Sequence, residues 1–543
     1  MDPSSGAWFL TQSHLFLVAI YITVGSAAVL VFYELYSLIC PKLNHVISTK
    51  FMESSCSSSW PPTPPEVPIL GHLHLLKANP HLDMHALSLK YGPLVHLRLG
   101  STHALVISSS SMAKLVLKTH DKSFASRSSS GAAVEILSHG FQDLACAPYG
   151  PHWRHMRKLC LLELFSMKRI ESFANVRNEE VSSLVSSIRE ESAAGKPIVM
   201  TIKLGQLMLN IISLMSMGMR MINHWGSQDI GDDDEEELKN FLAAVKELFW
   251  LGGVVNNLGD YFPRLRWLDL QGYERRLRNV TKVFDAFVLK QVDHKRKLGS
   301  SCDSNARKDL LDILLSLPNE TNGKLSMHTV TSTMLNILSA GTDTSSTTVE
   351  WTLAELIRRP AVMAKVQSEI DTYVGKARRV EEADFPHLPY LEAVVKETLR
   401  LHPPAPLLIP HESIEPCELL SYNIPAKTRL YVNVWAIGRD QAEWEDPLEF
   451  CPERFIGTDT DLKGQDFRLL PFGSGRRMCP GISLGLAVVQ LTLARLLHSF
   501  DFSLPSWQNP EELDMSETFG LTMTKTEPLQ LIASPRLSKE LYD

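Results

Sequence analysis

The eight cysteines of this chain, at positions 40, 56, 146, 160, 302, 417, 451 and 479, include no C-x-x-C pair. That spacing argues against a zinc ribbon and against a disulfide scaffold, and it fits a reducing compartment. Basic residues are not in excess: 54 Lys and Arg stand against 61 Asp and Glu, a net charge of -7. Nucleic acid is therefore not an expected partner. No internal repeat is present. The remaining composition, 44% hydrophobic and 21% charged, is ordinary globular usage. Its length of 543 residues allows several domains or one large helical domain.

Formal charge is also missing from one long stretch. No Asp, Glu, Lys or Arg occurs from Pro3 to Tyr33, and Leu15 to Tyr33 is almost continuously apolar. As a helix, that stretch is long enough for a bilayer, which needs ~20 residues. A cleaved signal peptide would suit Ser26-Ala27-Ala28, but the start is acidic, at Asp2, and the apolar run outlasts a signal core. The reading is a retained anchor over residues 1–40. Lys42 and Lys50 follow the span, which puts the body in the cytosol by the positive-inside rule. Residues 41–70 read as a linker: Ser54 to Ser59 is flexible, and the prolines from Pro61 to Pro68 are stiff and extended. Residues 71–543 are the expected catalytic domain.

Within that domain, Val95 to Leu99 alternates and Ala104 to Ile107 is a buried-strand run, after a short helix from about residue 84. From about 150 to 400 helical periodicity dominates, including a helix over Met327 to Arg358. The acidic run Asp232 to Glu237 is expected as a solvated loop leading into a helix. The basic run His294 to Lys297 closes another helix at the dipole-favoured end. Asn279-Val280-Thr281 and Asn319-Glu320-Thr321 match a glycosylation sequon, which a cytosolic body leaves unmodified.

What the chain does have is one informative cysteine. Cys479 lies in Pro471-Phe472-Gly473-Ser474-Gly475-Arg476-Arg477-Met478-Cys479-Pro480-Gly481, followed by an apolar, helix-like stretch. Glycines let the backbone turn tightly and leave room for a flat ligand. An arginine offers a charge for a carboxylate. A cysteine thiolate can be an axial ligand of haem iron. A buried structural cysteine would not account for Phe472, Gly475, Arg477 and Gly481 at fixed offsets. The pattern F-x-x-G-x-R-x-C-x-G resembles the haem-binding loop of the cytochrome P450 family.

The rest of that family's signature is also matched. Glu397 and Arg400 stand at i and i+3, Pro452-Glu453-Arg454-Phe455 follows, and Cys479 comes 25 residues beyond Arg454. The resemblance implies that Glu397, Arg400 and Arg454 form a buried charge network locking the cysteine loop. Ala340-Gly341-Thr342-Asp343-Thr344-Ser345 resembles the oxygen-activation motif. Gly341 would open a groove for O2, and Asp343 and Thr344 would supply the protons that split it. Taken alone, these small residues would only permit close helix packing. Trp153 and Arg157 resemble the W-x-x-x-R contact to the haem propionates. Arg477 is a second propionate candidate and His411 a third, although a lone exposed histidine is the plainer reading of His411. Arg154, Lys158, Lys168 and Arg169 form a basic patch that would dock an acidic reductase. Ala147-Pro148-Tyr149-Gly150, Phe385 to Leu391 and Asn433 to Asp440 resemble the plant microsomal branch.

The resemblance spans essentially the whole chain. It implies a mainly α fold with small β-sheets, haem b, and a single-pass anchor in the endoplasmic reticulum membrane. The implied activity is monooxygenation: NADPH electrons arrive through a separate reductase, and one atom of O2 enters a lipophilic substrate. Expected substrate contacts are the loop from about Ser129 to Cys146, parts of 206–262, Asn336, Ala340, Leu407, Leu408, Ile409 and Phe519 to Thr522, with Leu521 foremost. Their mostly apolar character fits a small lipophilic plant metabolite. A terpenoid such as a cyclic monoterpene is favoured, with a flavonoid or other phenylpropanoid as the alternative. A reductase-independent haem-thiolate isomerase typically lacks the threonine matched by Thr344. A non-catalytic haem-binding membrane protein has no need of the Asp343–Thr344 pair.

Overall fold

The computed structural model describes residues 60–128, 131–221, 232–298, 308–317, 325–542. The expected anchor over 1–40, the serine run Ser54 to Ser59 and the sequon at Asn319 lie outside them. The chain divides into two units, Met1–Trp60 and Pro61–Asp543. The second carries all the elements below.

Pro61 to Pro68 is pinned rather than free. The His96 amide donates to the Pro62 carbonyl (3.0 Å), and His72 bonds the Pro64 carbonyl (2.7 Å). The first sheet orders β1 (Leu94–Leu99), β2 (Thr102–Ile107), β6 (Arg429–Val432), β5 (His411–Glu412) and β3 (Ser126–Arg127). A second sheet joins β4 (Ile198–Val199) and β7 (Phe500–Ser503) through β8 (Gln530–Pro535). Parallel pairing of β2 with β6 brings chain segments more than 300 residues apart to one wall.

Helices make up most of the unit: α1 (Pro80–Tyr91), α2 (Pro151–Glu163), α3 (Ala174–Ala193), α4 (Met200–Met217), α5 (Asp232–Gly253), α6 (Tyr273–Leu298), α7 (Met327–Arg358), α8 (Pro360–Tyr373), α9 (Pro389–Leu401) and α10 (Ile482–Ser499). Proline opens α1, α2, α8 and α9 at the first turn, where its missing N–H costs nothing. The acidic run starting at Asp232 lies inside α5 rather than in a preceding loop, because carboxylates at an N-terminus favour the dipole and extend the helix into the run. The basic residues Lys295, Arg296 and Lys297 do close α6, and Lys295 also pairs with Asp312 (2.8 Å). Two described helices, α4 and α10, are apolar and long enough to cross a membrane, but 72% and 67% of their spans are buried in the protein. They are core.

The central element is α7, 32 residues long and buried on nearly every side. The Ser326 hydroxyl caps it by accepting from the Thr329 amide (3.1 Å). Its buried hydroxyls return to carbonyls one turn back: Ser339 to Leu335 (2.6 Å), Thr342 to Leu338 (2.7 Å), Thr352 to Thr348 (2.7 Å). A helix this polar can therefore cross the core. Gly341 does not interrupt it. A Cβ there would lie 2.9 Å from Ile212 Cγ1, so the missing side chain lets α4 close on α7. Gly341 also borders an internal cavity.

Candidate active site

Cys479 is presented by a loop whose shape follows from its glycines. Gly473 and Gly475 both have φ +69°, and a Cβ on Gly475 would sit 2.5 Å from the Leu117 carbonyl oxygen. The Cys479 amide donates to the Phe472 carbonyl (3.0 Å), and the Ser474 hydroxyl donates to the Gly464 carbonyl (2.6 Å). Immediately beyond, α10 begins. The Cys479 side chain is half-buried and borders an internal cavity of about 450 Å³. Burial pushes the thiol pKa up, against the Gly481 amide and the Arg157 charge, which favour the thiolate. A metal ion supplies the remaining stabilisation of a thiolate when it binds.

One edge of the cavity carries three guanidinium groups, of Arg127, Arg157 and Arg477, against one buried carboxylate, Asp143. Arg477 donates to the carbonyls of Ala125 (2.7 Å) and Ala147 (2.6 Å), and its Nη1 is buried with no partner. Burial, then the charges of Arg127 and Arg157, hold its pKa down to about 8. Arg127, held down to about 10 chiefly by burial, donates to Ile409 and Pro410. Arg157 Nη2 donates to the Met478 carbonyl (2.7 Å), beside the cysteine. Such a cluster is what two carboxylates would neutralise. The residues present fit an iron porphyrin with its propionates at this edge.

Two further expected propionate contacts, Trp153 and His411, also line the cavity. The Trp153 indole N–H is donated to the Leu144 carbonyl (3.1 Å), and its ring stacks under Arg477 at 4.1 Å. It supports the arginine. His411 is not exposed but 5% accessible on β5, its Nδ1 donating to the Phe124 carbonyl (2.8 Å). Burial holds its pKa well below the usual range, so the ring is neutral. Arg127 was not singled out in the sequence. Its signal is only a buried arginine two residues beyond Ala125, and its role depends on Ile409, 282 residues away.

Glu397 and Arg400 are both fully buried and paired twice, Nε to Oε2 and Nη2 to Oε1, each at 2.7 Å. Arg454 Nε reaches Glu397 Oε1 at 3.1 Å, and the Cys451 amide donates to the same oxygen (2.7 Å). Arg400 then donates to the carbonyls of Gly438 (2.5 Å), Pro447 (2.6 Å) and Glu449 (2.9 Å). The carbonyls it holds belong to segment 438–449, not to loop 471–481. The network's hydrogen bonds fix segment 438–449.

Across the cavity, α7 contributes Asn336, Ala340 and Thr344. The Thr344 hydroxyl donates to the Ala340 carbonyl (2.7 Å). Asp343 points elsewhere: it is 9% accessible, does not border the cavity, and its Oδ2 is buried without a partner. Burial pushes its pKa up to about 6, opposed by Thr522 and Lys246. Leu407, Leu408, Ile409 and Leu521 also line the cavity, as do Val134, Leu137, Met208, Ile212, Leu248 and Phe249. Its polar lining, besides the arginine edge, includes Asp260, Arg429 and Tyr431. Arg154, Lys158 and Lys168 are exposed, whereas Arg169 is half-buried and donates to the carbonyls of Glu163 and Lys308.

The family model described as Cytochrome P450 matches residues 61–533. The chain belongs to the cytochrome P450 family. It is similar to a flavonoid 3'-monooxygenase of Crocosmia x crocosmiiflora, 43% identical over 499 residues, covering 90% of this chain and 95% of the relative. It is similar to a flavonoid 3'-monooxygenase of Petunia hybrida, 42% identical over 517 residues, covering 94% and 98%. Among solved structures, a zebra fish cytochrome P450 with progesterone is 28% identical with a TM-score of 0.68, covering 84% of this chain and 99% of that one. The chain is thus a plant-type P450 monooxygenase, an oxidoreductase with the family's mainly helical fold. The family uses haem and draws electrons from a reductase.

Proposed function

We propose that this P450 hydroxylates an aromatic ring of a flavonoid or closely related phenolic, with electrons from an NADPH-dependent reductase. One observation carries the substrate class: the relatives named as flavonoid 3'-monooxygenases match nearly end to end. The cavity supports it. Asp260, Arg429, Tyr431 and Asn336 add polar groups, each already hydrogen-bonded within the protein, to apolar walls, a mixed lining compatible with a polyphenol. These findings favour the phenolic alternative over the cyclic monoterpene expected from the sequence.

In this reading Cys479 would hold the haem iron as a thiolate, and Arg127, Arg157 and Arg477 would hold the propionates. Bound haem would supply the redox chemistry of O2, with the thiolate donating electron density to the iron. Ala340, Leu408 and Ile409 press a flat substrate into place and exclude water. Thr344 stands at the cavity wall, and Asp343 stores a proton behind it. Residues 1–40 anchor the chain in the endoplasmic reticulum membrane, supported by the uncharged stretch from Pro3 to Tyr33. The exposed Arg154, Lys158 and Lys168 meet the reductase.

Microsomes holding this chain and a plant reductase, given NADPH with mixed flavonoids, cinnamate esters and terpenes, should add one hydroxyl to a flavonoid ring. Oxygenation of terpenes alone would overturn the substrate class. The proton role is tested by Asp343→Asn. Product formation should fall on the order of a hundredfold, the scale of a positioned acid. In the parent enzyme, product per NADPH should be highest below pH about 6, where the raised pKa keeps Asp343 protonated, and fall as pH rises through that value. The variant should lose this pH dependence.

A further inference from the structure

Thr522 sits at the tip of the hairpin formed by Glu517–Thr518 and Thr524–Lys525. Three bonds fix that tip from three directions. The Leu521 amide donates to the Phe249 carbonyl on α5 (2.7 Å), and the Met523 amide donates to the Pro404 carbonyl (2.8 Å). The Met523 carbonyl accepts from the Trp351 indole on α7 (3.2 Å). A Cβ on Gly253 would lie 2.1 Å from the Gly520 carbonyl carbon, so α5 touches the tip backbone to backbone.

The side chain carried by this rigid tip is 3% accessible and borders the cavity, yet its hydroxyl has no hydrogen-bond partner. Buried polar groups are rarely left so without a reason. Asp343 stands beside it, and its Oδ2 is likewise buried and unbonded. The hydroxyl is near enough to favour the carboxylate without completing a hydrogen bond. Asp343 does not border the cavity and Thr522 does. The Thr344 hydroxyl, by contrast, is committed to the Ala340 carbonyl.

We propose that Thr522 is the relay that connects the Asp343 carboxyl to the cavity. The Thr522 oxygen takes the proton from the Asp343 carboxyl while its own hydroxyl proton passes to a cavity water. Two O–H bonds break and two form, Asp343 becomes a carboxylate, and one proton has moved with no electron transfer. The relay rests on the reading that Asp343 supplies protons to reduced dioxygen. The charged groups that face Asp343 are Lys246 on α5, which favours the carboxylate, and Glu350 on α7, which opposes it. Glu350 in turn accepts from Thr201 and the Leu529 amide and lies near Lys525.

The test uses full-length holoenzyme as Thr522→Val, Thr522→Ser and Asp343→Asn. The infrared band of the protonated Asp343 carboxyl, assigned by its loss in Asp343→Asn, is titrated against pH, and product per NADPH is measured in parallel. Thr522→Val should raise the carboxyl midpoint, because the Thr522 hydroxyl favours the carboxylate. It should also divert electrons from product to hydrogen peroxide, and Thr522→Ser should restore both. If Asp343→Asn uncouples the enzyme while Thr522→Val changes neither midpoint nor coupling, the relay is overturned and the role of Asp343 stands. If Asp343→Asn leaves coupling intact, the proton-supply reading itself fails, and the relay with it. A Thr522→Val enzyme altered only in KM or hydroxylation position makes Thr522 a substrate contact and overturns the relay.

Discussion

Cys479→Ala is expected to fold, to lose the thiolate-type spectrum of the reduced carbon monoxide complex, and to fall to background turnover. The loop should survive, because its shape does not depend on sulfur. The bond from the residue 479 amide to the Phe472 carbonyl, the positive φ of Gly473 and Gly475, and the Ser474 bond to Gly464 all remain. The arginine edge is also untouched, so porphyrin can still bind there in substoichiometric amounts. What disappears is the axial electron donor. A Cys479→Ala protein that kept the thiolate spectrum would show that another residue ligates the iron.

Glu397→Gln should have the largest effect on folding. Arg400 is fully buried, Arg454 is nearly so, and Glu397 is the carboxylate that pairs with both. Exchanging the whole network for apolar side chains need not destabilise, but removing one member strands buried charge and costs ~3–5 kcal/mol. Total stability in proteins is only ~5–15 kcal/mol. The variant should therefore show a markedly lower unfolding temperature and a low ratio of haem to protein, while segment 438–449, held through Arg400, becomes sensitive to proteolysis. Asp293→Asn, which weakens the exposed pair with Arg296, is the control, because exposed pairs contribute ~0–1 kcal/mol. Equal loss in both variants would refute the account of the network.

The two residue classes explain what was legible in the sequence. Glu397, Arg400, Arg454 and Cys479 each sit in a short local motif, and the motifs follow in a fixed order. α7 is bounded by a capping serine and carried by periodic apolar residues, so its limits at Met327 and Arg358 follow from local chemistry. Direction of a side chain within the packed core does not. Asp343 and Thr344 are neighbours in sequence, but only Thr344 borders the cavity, because successive helical residues point about 100° apart. Gly341 both lets Ile212 of α4 approach and forms part of the cavity wall. His411 looked exposed until β5 was paired between β3 and β6. Arg127 and Thr522 acquire their places only through partners hundreds of residues away in the chain. The substrate class also lay outside local pattern: apolar cavity residues such as Leu407 and Leu521 suit terpene and flavonoid alike, whereas Asp260, Arg429 and Tyr431 converge only in the folded protein.

The most direct test of the central claim is isotope incorporation. Reconstituted with a plant reductase and NADPH, and supplied with a flavonoid under labelled dioxygen, the enzyme should yield a hydroxylated flavonoid carrying one labelled oxygen per molecule. Label drawn from water instead, or product formed without NADPH, would contradict the haem-thiolate monooxygenase account.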